Sequence, residues 1–355
     1  MRVAVIGGTG NAGRLITRLL LEDPSAEVNA CARSEARLHE LETTLAPHPG
    51  SLHTTVVDVE RERDLVEVAS STDLVVGATS LVEHGPGLAS LAVDCGASYI
   101  GVYLSDRGKW SRLRRLQGRC VERGLMVVDD GGCHPGLPAV MIRLAAEDGG
   151  LEAAWVGAKF RLRWDELGVV GETIQDFLAE VERTDPSVFV DRAWVRGFRH
   201  SRSFDFGRGE GPESCVPMCI EEIRELAESG EVDSAGFFMA GFGPVMDYGI
   251  LPASIGLAKL NRRLATILFW WGLRRLASAA ERAVLLLDGT RRSDGSPVRI
   301  RVSHLDPYLL TAAPVVATIR QMIAAPRPGV WTQAAFVDPT GLFRAIREMG
   351  VSVEA

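Results

Sequence analysis

Seven residues, Gly7-Gly8-Thr9-Gly10-Asn11-Ala12-Gly13, stand directly behind the β-branched run Val3 to Ile6 and directly before the helical stretch Arg14 to Leu21. They contain G-x-G-x-x-G at Gly8, Gly10 and Gly13, and few folds place that spacing between a strand and a helix. Gly8 is expected to permit the tight turn. Gly10 lets the backbone approach a pyrophosphate with no Cβ in the way, and Gly13 lets helix and strand pack closely. With Thr9, Asn11 and Ala12 completing the loop, the free N–H groups of the helix N-terminus face the anion.

The chain beyond the loop keeps the same rhythm. Val28 to Ala32, Thr54 to Val57, Leu74 to Ala78, Tyr99 to Val102 and Leu125 to Val128 read as further strands bounded by Gly, Asp or Ser, with helical stretches such as Leu113 to Arg123 between them. Strand, turn and helix in repetition predict α/β architecture, here a Rossmann doubly wound parallel sheet of six strands over residues 1–148. The bare alternative, a glycine-rich turn without a ligand, explains the loop but not the complete unit behind it.

The end of the second strand decides the cofactor. An Asp or Glu there would accept hydrogen bonds from the adenosine ribose, but the chain has Ala32-Arg33-Ser34. Arg33 can pair with a 2′-phosphate through its donor fork and Ser34 can add a hydroxyl, so NADP(H) is expected. A solvated surface arginine is the plainer reading of the same residue. Asp58 and Val59 stand where an adenine-contacting loop belongs, and Ala78, Thr79 and Ser80 where the chain reaches the nicotinamide half, both by analogy of fold.

After Gly149 and Gly150 the pattern changes. Trp155 to Trp164 alternates apolar with polar or basic residues and predicts a half-buried strand. A helix near Thr173 to Glu182, a Gly/Arg/Ser-rich stretch Arg196 to Gly211, and a hairpin Ala283 to Ser303 turning at Asp294-Gly295 complete an expected α+β domain with an antiparallel sheet. That domain, 149–304, is expected to serve substrate binding and dimerisation. Residues 305–355, with helices near Pro314 to Ala324 and Leu342 to Met349, are expected to pack back on the first. Ile250 to Ala277 is rich in Leu, Ile and Trp, yet its uncharged core, Leu264 to Leu273, is half of what a spanning helix needs. An interfacial membrane helix is one reading of it, and burial in the protein or a subunit interface is the expected one.

Bulk properties exclude some classes. A formal net charge of −7 speaks against nucleic acid, whose phosphates demand surplus cations. Six scattered cysteines and an N-terminus opening into a strand, with no signal peptide, point to a reducing cytoplasm. Cys215 and Cys219 lack a second ligand pair at a recognised spacing, so no metal is expected.

The chain resembles the saccharopine dehydrogenase-like superfamily of NAD(P)-dependent oxidoreductases. The glycine loop, "ACARSEARLHEL", "STDLVVGATSLVEHGPGLASLAVDCGASYIGV", "DDGGCHPGLPAVM" and the tail "PRPGVWTQAAFVDPTGLFRAIREMGVSVE" carry the likeness, while residues 150–280 match loosely. The resemblance implies a Rossmann domain completed by the C-terminal segment, an inserted α+β domain shaping a substrate cleft, and a homodimer. It implies either oxidation or formation of secondary amines of amino-acid type, or trans-acting enoyl reduction. His134 stands where saccharopine-type enzymes carry Asp, and Leu137, Pro138 and Ala139 replace polar residues, so the carboxylates that would hold a substrate ammonium are missing.

Three functions remain in view: an NADP(H)-dependent oxidoreductase working on a C=N or C–N bond of a small amino-acid-derived substrate, an enoyl reductase served by an acyl carrier protein, and a non-catalytic NADP(H)-binding scaffold or sensor. Arg161, Arg163, Arg196, Arg199 and Arg202 are the candidate docking surface for an acidic carrier. Candidate proton donors are Tyr103, Asp106, Asp130 and His134. Tyr103 reads equally as a packing aromatic, and Asp106 and Asp130 as helix N-caps. His134 is expected at the carboxyl ends of the strands, exchanging a proton near neutrality.

Overall fold

The computed structural model describes residues 1–79, 85–102, 107–147, 149–161, 178, 184–207, 211–243, 245–276 and 282–355. They form two compact units, Met1–Leu144 with Tyr308–Val351, and Ala145–Pro307 with Ser352–Ala355.

In the first unit, β1 (Arg2–Ile6), β2 (Glu27–Ala32), β3 (Ser51–Val56), β4 (Leu74–Gly77), β5 (Ser98–Gly101) and β6 (Met126–Asp129) are the strands the sequence marks, each within three residues of its expected start. A seventh, Gly329–Thr332, comes from near the C-terminus. The described order is Gly329–Thr332, β6, β5, β4, β1, β2, β3, with every neighbouring pair parallel. The chain winds outward from β1 to β3 and then crosses to β4, so the order reverses between β1 and β4. In open parallel sheets that reversal opens a crevice beyond the carboxyl ends of the strands. β4, β5 and β6 are buried along their whole length, as strands covered by helices on both faces must be. The helix Asn11–Leu20 contributes Leu15, Ile16, Leu19 and Leu20 to the core and leaves Arg14 and Arg18 in water, an apolar stripe at helical spacing.

The helix Pro307–Ala324 begins seven residues before its expected start. Pro314 lies inside it rather than opening it, and Pro307 supplies the proline at the first helical position. Residues 308–351 belong to the first unit, while the last strand, Ser352–Glu354, pairs with a strand of the second.

The second unit is α+β, as expected, but its sheet is mixed rather than antiparallel. The strands are β7 (Leu151–Arg161), β8 (Ser187–Val190), β9 (Ala193–Arg196), β10 (Arg202–Asp205), β11 (Pro212–Pro217), β12 (Val232–Ala240), β13 (Arg282–Arg291) and β14 (Pro297–His304). β12 and β7 run parallel, and the remaining described pairs are antiparallel. β13 and β14 form the expected hairpin, with Gly295 in the left-handed region its turn requires.

β7 corrects the half-buried reading. It lies between β12 and β13 in mid-sheet, and Lys159 and Arg161 are buried against Glu213, which pairs with both. The cations on this strand are therefore buried and share one carboxylate instead of lying on a wet face. The expected helix around Thr173 to Glu182 lies outside the described residues apart from Leu178, as does the strand's continuation to Trp164.

Ile250 to Ala277 is buried in part. Helices Leu251–Ala258 and Arg262–Leu276 bury only one face, where Ala265, Phe269 and Leu273 pack with Met246 and Leu178. Gly272 permits the close crossing, because a Cβ there would lie 2.7 Å from Met246 Sδ. The other face of the longer helix is exposed. No described helix is long and apolar enough to cross a membrane.

Candidate functional site

The glycine loop sits at the switch point between β1 and β4 and hangs from β2. The N–H groups of Gly7 and Gly8 both donate to Cys31 O, at 2.9 and 3.0 Å, and the Gly10 N–H turns back onto Gly7 O. Gly7, not Gly8, takes the left-handed conformation, with φ +89°. The tight turn therefore falls one residue earlier than the motif suggests. Gly8 packs on β2, where a Cβ would meet Ala30 at 2.9 Å, and Gly13 lets the helix close on the loop, where a Cβ would lie 2.1 Å from Gly7 O. Gly10 is exposed and caps the helix Asn11–Leu20 without a side-chain cap. The first N–H groups of a helix have no intrahelical acceptor, and here they open to solvent beside Thr9, Asn11 and Ala12. An exposed helix N-terminus framed by glycines is a cradle that fits a pyrophosphate.

Arg33 is exposed at the end of β2 and makes no ion pair or hydrogen bond among the described residues. Ser34 caps the next helix, its Oγ accepting from the Arg37 N–H at 3.4 Å. That leaves the Ser34 hydroxyl proton to donate elsewhere. Arg37, also exposed, is a second cation in the helix's first turn, which the sequence reading did not single out.

Asp58 works within its own loop: Oδ1 accepts from the Glu60 N–H at 3.2 Å, and the Asp58 N–H donates to Asp64. Val59 and Thr79 line one cavity of about 500 Å³ together with Leu88, Leu91 and Arg112. The two loops expected at opposite halves of a dinucleotide thus share a wall. Ala78 lies against the glycine turn, its carbonyl oxygen 2.6 Å from where a Gly7 Cβ would be.

Beyond β6 the chain is buried and charged. Asp129, Asp130 and Lys109 are each at most 1% exposed. Lys109 Nζ lies 2.6 Å from Asp130 Oδ1 and 3.3 Å from Asp129 Oδ2, and Trp110 Nε1 donates to Asp130 Oδ2 at 2.9 Å. Asp130 is thus no helix N-cap: it has φ +56° and both carboxylate oxygens engaged. Gly101 makes room for the cluster, since a Cβ there would lie 2.3 Å from Asp129 Oδ1. Burial pushes Asp129 up to about 6, against the pull of Lys109. Burial also opposes charge on Lys109, but its two carboxylate neighbours outweigh it and its pKa is raised.

His134 follows on the same loop. Its Nε2 is buried, and burial pushes its pKa down to about 4. The imidazole is neutral at pH 7, so proton exchange near neutrality is not what this position favours. The loop is held from the C-terminal segment: the Gly132 N–H donates to Gln333 Oε1 at 2.9 Å and Gln333 Nε2 to Gly132 O at 3.1 Å. Thr318 Oγ1 donates to the same Gln333 oxygen, and Arg143 binds the carbonyls of Ala334 and Val337. Gln333, fully buried, had escaped the sequence reading. Its signal was a polar amide in the apolar run Val330 to Phe336.

Tyr103, Asp106 and Ser80 lie outside the described residues, as does Arg163. Of the arginines expected to dock a carrier, Arg161 is buried, whereas Arg196, Arg199 and Arg202 are exposed; Arg196 pairs with Asp185 at 3.6 Å and Arg202 stacks on Trp155. Cys31 and Cys133 are pushed up to about 12 by burial and carry no thiolate near neutrality.

No protein-family model matches the chain, and no curated protein does. Among solved structures, the apo saccharopine dehydrogenase (L-glutamate-forming) of Saccharomyces cerevisiae aligns over 99% of this chain and 99% of its own, with a TM-score of 0.68 at 13% identity. The amine dehydrogenase of Mycobacterium smegmatis aligns over 95% of this chain and 96% of its own, with a TM-score of 0.52 at 15% identity. At such identities the likeness is one of fold.

Proposed function

From this saccharopine dehydrogenase-like fold, we propose that the chain is an NADP(H)-dependent oxidoreductase acting on a C=N or C–N bond of a small, amino-acid-derived substrate. The observation that carries the reading is the glycine cradle at the switch point, with Arg33 exposed on the neighbouring strand end and unpaired among the described residues. The nicotinamide would supply or accept the hydride. The chain's own part is to hold and orient. Gly10, Asn11, Ala12 and Gly13 would meet the pyrophosphate with N–H groups and the positive helix end. Arg33 and Ser34 would hold the 2′-phosphate, and the cavity beside Val59 and Thr79 would take the adenine.

NADPH is expected to bind more tightly than NADH, and Arg33→Asp to weaken NADPH about thirtyfold through loss of a charge-assisted contact, with NADH little changed. Fluorescence titration of both cofactors checks this. Equal affinities in the unmodified chain would refute the 2′-phosphate assignment.

His134, neutral near pH 7, would orient the substrate by a hydrogen bond rather than deliver a proton from an imidazolium. His134→Gln is expected to keep NADPH binding and lower kcat roughly a hundredfold. The same variant has a pH signature. A histidine whose folded pKa is about 4, below its unfolded value, contributes stability present above the unfolded pKa and lost as pH falls through that range to 4. His134→Gln should lack this acid-linked loss in urea titrations. An unchanged kcat on an identified substrate would remove His134 from the reaction.

A further inference from the structure

Leu260, Leu264, Ile267 and Trp271 are 87, 50, 56 and 52% exposed. Their spacings of four, three and four residues put them on one side of the helix Arg262–Leu276 and the turn before it. Cations flank this apolar stripe at both ends, Lys259, Arg262 and Arg263 before it and Arg274 and Arg275 after it, all exposed and without an ion pair among the described residues. From Tyr248 to Ala280 the sequence holds no Asp or Glu at all. Elsewhere in the second unit exposed arginines do find carboxylates, as Arg192 and Arg292 do at Asp233. Among the described residues, the lack of a carboxylate partner is therefore local to this segment.

We propose that this face docks on the surface of an anionic phospholipid bilayer, with Leu264, Ile267 and Trp271 entering the headgroup boundary and the flanking cations meeting lipid phosphates and carboxylates. A second copy of the chain fits poorly. A two-fold contact sets a patch against itself, so five cations would meet five cations with no carboxylate in the segment to pair them. An apolar stripe with cationic flanks and too short an uncharged core to span is the composition of a helix lying in a membrane interface.

Flotation with vesicles of phosphatidylcholine, with and without phosphatidylserine, tests this on the full chain. The protein is expected to float with the phosphatidylserine vesicles at low salt and to be released by high salt. Replacing Arg262 and Arg263 together by Gln should weaken partitioning about thirtyfold, each cation near the surface being worth about a factor of five. Ile267→Glu should abolish flotation with its melting temperature unchanged, since the side chain it replaces is exposed. Three results would each overturn the proposal: no flotation of the unmodified chain with phosphatidylserine vesicles, equal flotation of the Ile267→Glu variant, or a concentration-dependent dimer in sedimentation velocity that Ile267→Glu dissolves.

Discussion

Lys109→Met is expected to cost roughly 3–5 kcal/mol of folding stability near neutral pH, because it leaves two buried carboxylates without their common cation. Lys109, Asp129 and Asp130 are sealed from water, and the ammonium is the charge that faces both acids. Asp129 gives the loss a pH dependence whose sign comes from its raised pKa. A carboxyl with a folded pKa of about 6, above its unfolded value near 4, contributes stability fully present below about pH 4 and lost as pH rises through about 6. Without Lys109, Asp129 gives up the attraction that restrains its pKa and is pushed higher still. The deficit of the variant should then shrink as pH falls from neutrality toward about 5, as Asp129 takes up a proton. Urea midpoints at the two pH values measure it. A deficit below about 1 kcal/mol near neutrality, or one indifferent to pH, would contradict the account. Asp129→Asn and Asp130→Asn added to Lys109→Met should recover much of the loss, since replacing every charge of a buried set is far milder than removing one.

In the unmodified chain this gain on acidification is opposed by His134, five residues on. Its lowered pKa makes the fold weaker over nearly the same range in which Asp129 makes it stronger. The stability of the whole chain near pH 5 consequently says little about either group, and the variants at His134 and Lys109 are what separate them.

The sheet of the first unit was legible because its signals are local. Short β-branched runs closed by Gly or Asp give parallel strands whatever lies beyond them, and the glycine loop announces its position by what stands on each side. Placing the tight turn on Gly8 rather than Gly7 is a limit of the motif, which fixes spacing but not which residue bears the positive φ. The charged cluster was hidden for a different reason. Lys109 and Asp129 are twenty residues apart, and the pairing of β5 with β6 and the bare Gly101 make a space for the carboxylate. The clamp of Gln333 on Gly132 spans 201 residues and depends on the C-terminal strand joining the sheet. On β7, alternation does not report exposure, because periodicity shows which residues share a face and not what covers it, and the pairing of Glu213 with Lys159 and Arg161 is a fact of tertiary structure.

Gly13→Ala and Gly10→Ala are expected to fail in different ways, and the contrast tests whether the loop is built for an anion or only for packing. At Gly13 the added Cβ would lie 2.1 Å from Gly7 O, and the obstacle is backbone at the loop's own turn, which cannot step aside as a side chain could. Either the helix Asn11–Leu20 shifts or the turn opens, so a fall in stability of roughly 1–3 kcal/mol accompanies the loss of binding. At Gly10 the nearest obstacle to a Cβ is Gly7 O at 3.2 Å, a contact relieved by a few tenths of an ångström, and the residue has φ −74°, which alanine adopts without strain. The fold should tolerate that change within about 0.5 kcal/mol, as exposed positions do. Yet its methyl group would occupy the path by which a pyrophosphate approaches the helix N–H groups, and NADPH affinity is expected to fall at least tenfold. Thermal unfolding and NADPH titration of the two variants side by side decide the matter. If Gly10→Ala bound NADPH as tightly as the unmodified chain, the bare Cα at that position would serve the turn alone, and the phosphate would have to lie elsewhere.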